Sequence, residues 1–596
     1  MTGGARITRI AGSLVEATPL TGSLYELAFV GTRRLLGEVI RQEGSRATLQ
    51  VYEDTTGLAL GEPVATTGGS LGVTLGPGLL GSVLDGVGRP LARVAAATGD
   101  FITPGATAAT LDEDARWTFA PRVAAGDTVR AGDVLGTVDE KPGLPHRILV
   151  PHGVEGVVRR LEAGAYTVRD AVGELEDGTP LRLSHAWPVR VPRPFHRRLP
   201  PSRPFITGQR VFDLLFPVAE GGACIVPGGF GTGKTIVQQS LAKFAEADVV
   251  VYVGCGERGN EMTDVLTEFP ALIDPRTARP VMDRAVLVVN TSNMPVAARE
   301  ASIYLGVTIA EYYRDMGYRV ALMVDSTSRW AEALREMAAR LQEMPGEEGY
   351  PTYLASRLGQ FMERAGRVQA AGAPERHGAV TIIGAISPPG GDFSEPVTQA
   401  ALRVAGAMWA LDASLAHQRH YPAVDWDTSF SLFASHVRDH FAEAGGSDWD
   451  ALRAEMVALL QRERELRDIA SLVGPDALED ADRLAMDVAA LVREVILRQN
   501  AFHPNDAVSS VARTYALASV AVALHRAATD ALADGVPLAR LDLVAPRRAL
   551  AALRDGDEGD VAALAAAARE AVREVAPRTY PPSAPDATPS TRGSVA

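Results

Sequence analysis

Gly228-Gly229-Phe230-Gly231-Thr232-Gly233-Lys234-Thr235 is the stretch from which the rest of the chain is read. The apolar residues Ala223-Cys224-Ile225-Val226 precede it as a short buried strand, and Ile236 to Ala245 follow it with helical patterning. A strand, a glycine-rich loop of the form G-x-x-x-x-G-K-[ST] and a helix together make a phosphate-binding P-loop. Glycines let backbone N–H groups turn inward, and the helix start adds the positive end of its dipole, so polyphosphate is cradled. Lys234 is expected to reach the β- and γ-phosphates and Thr235 to ligate Mg²⁺. Lysine occurs only at 141, 234 and 243, and every other basic residue is arginine. A chain that otherwise writes Arg has Lys where a compact point charge is wanted.

With 596 residues the chain is too long for one core, so several domains are expected. It is 46% hydrophobic and 22% charged, an ordinary globular composition. A net charge of −14 argues against a nucleic-acid surface as the main role. No uncharged apolar run approaches the ~20 residues of a membrane span. The N-terminus lacks a basic-then-apolar signal, so a cytoplasmic chain is expected. Cys224 and Cys255, the two cysteines, sit in or beside apolar runs and read as buried reduced thiols.

Residues 1–72 alternate short β-type runs with turns: Arg6–Ala11, Leu24–Val30, Leu36–Ile40 and Ala47–Tyr52. Such spacing predicts a small β-barrel. Gly76-Pro77-Gly78 breaks the pattern, and 73–112 lead into an α/β domain that resumes at 187–435. Between them, 113–186 form a β-rich inserted domain. Its Asp127–Leu135 run is similar to biotinyl or lipoyl carrier sandwiches, but its one lysine, Lys141, precedes Pro142 without a carrier motif. The block therefore reads as structural or partner-facing. Six prolines between 188 and 204 make a stiff connection. In the α/β part, the runs Ala223–Val226, Val249–Val253, Ala285–Val289, Val320–Val324 and Val380–Ile386 alternate with helical patterns. That predicts a parallel sheet with its chemistry at the carboxyl ends of the strands. Residues 436–577 have helical periodicity and form a C-terminal helical domain. Residues 578–596, rich in Pro, Ser and Thr, read as a disordered tail.

Tyr318–Asp325 is an apolar strand ending in a carboxylate. Beside a P-loop, such an Asp holds the water shell of Mg²⁺. Val249–Val253 runs into Gly254-Cys255-Gly256-Glu257-Arg258-Gly259-Asn260-Glu261, which contains G-x-G-x-x-G. A dinucleotide site would need an acid ending a second strand about 20 residues on. Asp274 lies instead between Pro270 and Pro275, and the Glu257-Arg258 pair fills the turn a pyrophosphate would need. The pair suits catalysis better: Glu257 could orient an attacking water, and Arg258 could hold a γ-phosphate.

The sequence closely resembles the catalytic A subunit (alpha chain) of V/A-type rotary ATPases and ATP synthases, from about residue 5 to 575. The match includes Gly57–Pro63, Leu75–Leu80, Pro204–Thr235, Gly254–Glu261, Asp325–Trp330, Pro345–Leu354, Ser387–Pro396, His420–Trp426 and Gln499–His503. The resemblance implies a multidomain α/β chain: an N-terminal barrel, the inserted domain, a RecA-like nucleotide domain and a helical C-terminal domain. It implies ATP or ADP with Mg²⁺ as ligands, Glu257 as general base or water-positioning residue, and Arg258 as a γ-phosphate ligand. Tyr421 and Phe502 match the aromatic positions that enclose adenine, and Phe230 matches a loop phenylalanine. It implies three copies alternating with three of a non-catalytic B subunit, plus central-shaft and peripheral-stalk subunits. The ion-translocating membrane sector is then an indirect partner, moving protons or sodium, and the chain is peripheral on the cytoplasmic face. The intact P-loop and Glu257 distinguish the chain from the B subunit, and the insert distinguishes it from the F-type β subunit.

Overall fold

The computed structural model describes residues 4–99, 102–474 and 477–576, and the stretch from 578 expected to be disordered lies outside them. Among the described residues, no helix is long and apolar enough to cross a membrane. The five apolar runs form the centre of one sheet. Its spatial order is Ala285–Thr291, Val249–Glu257, Arg319–Asp325, His377–Ile386 and Ala223–Pro227, all parallel. These strands are covered on both faces, which explains unbroken Val/Ile/Leu runs instead of alternation. Val83–Asp85, from the stretch before the insert, adds a parallel strand beside Ala285–Thr291. Because the strands are parallel, the ends carrying Gly228, Glu257 and Asp325 open on one edge of the sheet. Both cysteines are buried free thiols, and burial pushes Cys255 up to about 12.

Helix Val296–Asp315 is buried along almost its whole length. A helix covered on every side must satisfy its polar side chains internally. Thr308 Oγ1 donates to Val189 O at 3.0 Å. Glu311 accepts from Arg193 N at 2.9 Å and from Arg364 Nη2 at 2.5 Å. Asp315 accepts from Arg193 Nε and Arg314 Nη2, both at 2.7 Å. Arg193 belongs to the proline-punctuated connection, which is thereby pinned to the domain core. Arg190, three residues earlier, donates to Glu38 Oε1 at 2.6 Å and Glu300 Oε2 at 2.7 Å, tying the barrel to the same helix.

The N-terminal barrel has six antiparallel strands rather than the four expected. Leu14–Thr18 and Val64–Ser70 are the additions. The second carries Thr66-Thr67-Gly68-Gly69, which shows no apolar alternation and is exposed over most of its length. Ile7 N donates to Glu62 O and Val64 N to Ala5 O, each at 2.9 Å, closing the first strand on the last. The insert is two four-stranded sheets packed through Phe119, Leu135, Ile148, Val158, Val172 and Leu181. The chain returns along His185–Pro188, antiparallel to Gly72–Leu75. His146 bridges Glu140 Oε2 (2.5 Å) and Tyr312 Oη (2.7 Å). Lys141 Nζ lies 3.3 Å from Asp283 Oδ1, so the lysine a carrier would expose is tied down.

A second compact unit contains the helices Trp449–Val473, Asp480–Leu491, Val511–Ala533, Val544–Asp555 and Val561–Arg573. Ser510 caps the third, accepting from Arg513 N at 3.0 Å. Gly208–Leu215 and Gln418–Pro422 belong to this unit. Arg210, fully buried, donates to Ile496 O and Asp506 Oδ1 at 2.6 Å each. Gln499 donates through its backbone N to Tyr421 O at 2.8 Å and through Nε2 to Gly208 O at 3.0 Å.

Candidate active site

The P-loop leaves strand Ala223–Pro227 and enters helix Lys234–Phe244. Gly233 stands before the helix with φ 90°, a left-handed conformation that a side chain would resist. No side chain caps this helix, so its first-turn N–H groups face the loop. Thr232 Oγ1 donates to Gly229 O at 2.9 Å and holds the turn closed. Lys234 Nζ donates to Gly228 O and Gly229 O, both at 2.8 Å. Burial lowers the Lys234 pKa, partly opposed by Asp325 and Glu257.

Thr235 Oγ1 donates to Asp325 Oδ2 at 3.0 Å, and Tyr252 Oη donates to the same oxygen at 3.2 Å. Burial pushes the Asp325 carboxyl up despite these bonds. Glu257 ends strand Val249–Glu257, and burial first, then Asp325 and Glu261, push it up to about 8. The Arg258 guanidinium sits 4.9 Å from the centre of the Phe230 ring, which is 80% exposed.

Lys234, Thr235, Glu257, Arg258, Asp325 and Phe230 all line one cleft of about 950 Å³, together with Gly229 and Gly231–Gly233. Glu261 and Arg329 also face it, and neither stands out from the sequence alone. Each lies four residues past a residue that does, Glu257 and Asp325. Arg329 donates to both carboxylate oxygens of Glu332 at 2.8 Å. Two glycines of the G-x-G-x-x-G run, Gly254 and Gly256, serve packing. A Cβ at Gly254 would meet Met262 Sδ at 2.3 Å, and one at Gly256 would meet Arg299 Cδ at 2.7 Å. Tyr421 and Phe502 belong to the helical unit, where Phe502 is 98% exposed.

Four family models match the chain in order. They are the beta-barrel domain of the ATP synthase alpha/beta family at residues 7–68, the alpha/beta subunit barrel-sandwich domain at 108–190, the family's nucleotide-binding domain at 208–431, and the C-terminal domain of V and A type ATP synthase at 438–541. The V-type ATP synthase alpha chain of Anaeromyxobacter dehalogenans (strain 2CP-C) is 57% identical over 534 residues, 89% of this chain and 92% of that protein. The chain belongs to the V/A-type ATP synthase alpha-chain (A subunit) family. The A subunit of the A-type ATP synthase of Methanopyrus kandleri is 54% identical over 547 residues, covering 90% and 92% of the two chains. The V-type ATP synthase alpha chain of Clostridium botulinum (strain Hall) is 51% identical over 540, again covering 90% and 92%. Membership in this family makes the chain a nucleotide-binding enzyme and one component of a multisubunit ATP synthase. The assembled ATPase of the enteropathogenic E. coli type III secretion system shares the fold, with a TM-score of 0.62 at 22% identity over 87% of this chain and 100% of that one.

Proposed function

We propose that the chain is the catalytic subunit of a rotary ATP synthase, hydrolysing or making ATP in a complex that moves protons or sodium across a membrane. The observation that carries the reading is the convergence of Lys234, the Thr235–Asp325 pair and Glu257 on one cleft. Lys234 exchanges the carbonyls of Gly228 and Gly229 for phosphate oxygens, whose negative charge restores a buried ammonium to its favoured state. Arg258 leaves the Phe230 ring for the γ-phosphate. Glu257 aligns water for in-line attack and takes its proton. A hydroxyl and a carboxylate 3.0 Å apart beside the P-loop are the hard oxygen donors Mg²⁺ takes, with phosphates and water completing its shell. Thr235 would hold the ion directly and Asp325 through water. Bound Mg²⁺ supplies charge neutralisation on the β- and γ-phosphates. Tyr421 and Phe502 stack on the adenine.

The partners we propose are a non-catalytic B subunit, alternating with this chain three by three, central-shaft and peripheral-stalk subunits, and a membrane sector reached through them from the cytoplasmic face. The chain supplies Arg258 in cis, and the family resemblance adds a second arginine from the neighbouring B subunit. An arginine supplied in trans is worth about 10³–10⁵ in rate. The purified chain should therefore bind Mg-ATP but turn it over slowly. Phosphate release should rise by about that factor as the purified non-catalytic partner is titrated in. A lone chain working at the full rate of the mixture would refute the interfacial site.

A further inference from the structure

A second cavity, of about 570 Å³, lies apart from the nucleotide cleft and shares no lining residue with it. That volume is within the range of small-ligand sites. Five arginines face it: Arg190, Arg198, Arg314, Arg357 and Arg364, against the acids Glu311 and Glu363. Three of the five are consumed by carboxylates. Arg190 is bound by Glu38 and Glu300, Arg314 by Asp315, and Arg364 by Glu311. The other two are not.

Arg198 donates only to backbone carbonyls, Ala365 O at 3.1 Å and Glu363 O at 2.8 Å. Arg357 donates to the phenol oxygen of Tyr25 and lies over the Tyr25 ring at 5.6 Å. Among the described residues neither has a carboxylate within ion-pair distance. A guanidinium carries five donors, so each keeps N–H groups for a ligand. The Tyr304 hydroxyl lies beside the Arg357 guanidinium, and Arg190 Nε in the same wall is buried without a hydrogen-bond partner. Buried polar atoms are seldom left unpaired in a native fold unless something else completes them.

We infer that this cavity binds a compact phosphate-class oxyanion between Arg198 and Arg357. Planar guanidinium forks match the tetrahedral oxygens of phosphate two at a time, which an ammonium cannot do. Phe195 and Pro192 are the apolar side chains of the wall. The site therefore offers guanidinium charge and hydrogen-bond donors set beside apolar surface, in a volume suited to a small anion.

The test is calorimetric titration of inorganic phosphate, and separately of pyrophosphate, into the full-length chain held saturated with Mg-ADP. Saturable binding is expected, weakened at least tenfold by Arg357→Ala and by Arg198→Ala. Arg198 is solvent-exposed, so its variant should fold, and an unchanged circular dichroism spectrum checks this. Arg357→Lys keeps the charge but loses the fork and should fall between. Tighter pyrophosphate than phosphate binding would assign the site to diphosphates, and the reverse to the free ion. No binding in the wild type overturns the inference. So does binding that survives both arginine variants but vanishes in Lys234→Ala, which would place the phosphate in the P-loop. A carboxylate of an adjoining protein filling the cavity in the assembled complex would overturn it too.

Discussion

The nucleotide cleft and the ionic layer around helix Val296–Asp315 are both rich in charge, and they handle it in opposite ways. In the layer, Glu311, Asp315, Arg193, Arg314 and Arg364 pair with one another at 2.5–3.1 Å. In the cleft, Lys234 rests on two carbonyls, while the acids Glu257, Glu261 and Asp325 crowd together. A protein keeps charges poorly matched only where another partner completes them. The layer holds the domain together. The cleft keeps its charges for a polyanion and its cation.

Glu257→Gln tests the cleft and should have the largest effect. Nucleotide binding should persist while hydrolysis in the assembled enzyme falls about 10²–10⁴-fold, the usual loss for a general base. Burial and the neighbouring acids push Glu257 up to about 8. The carboxylate is the working form, so kcat/KM, which reports the free enzyme, should climb with pH to about 8 and level above it. The variant should lack that limb, and a limb that survives in it belongs to another group. Stability should move the other way. A folded-state pKa above that of a free glutamate means stability is lost as pH rises from 4.5 through about 8. At pH 8.5 the Gln variant should therefore be more stable than the wild type, and the difference should shrink as pH falls toward 4.5.

Glu311→Ala tests the layer, and here the same residue type should behave in reverse. Glu311 is buried and accepts from Arg193 N, Arg364 Nε and Arg364 Nη2. Removing one partner of a buried pair leaves uncompensated charge, at about 3–5 kcal/mol. The urea midpoint of the nucleotide domain, followed by tryptophan fluorescence, should drop accordingly. A shift worth less than about 1 kcal/mol would mean that the layer's charges are solvated or slack.

What the sequence made legible was local. The P-loop announces itself because its glycines, Lys234 and Thr235 act through one contiguous backbone turn. The five central strands read as strands because burial on both faces leaves unbroken apolar runs. Arg190 and Arg193 were invisible in a stretch read as a stiff connection. Their partners Glu38 and Asp315 lie 152 and 122 residues away, and no local periodicity reports such a pairing. Glu261 and Arg329 fall within longer motifs, yet their aim into the cleft depends on where each strand gives way to a helix. The strand Val64–Ser70 lacked a pattern because both of its faces are exposed beyond Thr66, so no apolar alternation is required. Tyr421 and Phe502 carried no signal of their own and entered only through the family resemblance.

Phe502 offers the smallest effect and the sharpest separation of function from stability. At 98% exposure its ring buries almost nothing in the helical unit, so Phe502→Ala should leave thermal unfolding of the chain unchanged. Stacking on a base face is worth roughly 1–3 kcal/mol and is insensitive to base identity. Mg-ATP and Mg-GTP should therefore both bind the variant more weakly, by about 5- to 150-fold in Kd. Equal losses for the two nucleotides point to stacking. A loss for ATP alone would mean that hydrogen bonds to the adenine edge are involved. An unchanged affinity for both would remove Phe502 from the nucleotide site and leave its exposed ring to a neighbouring protein of the complex.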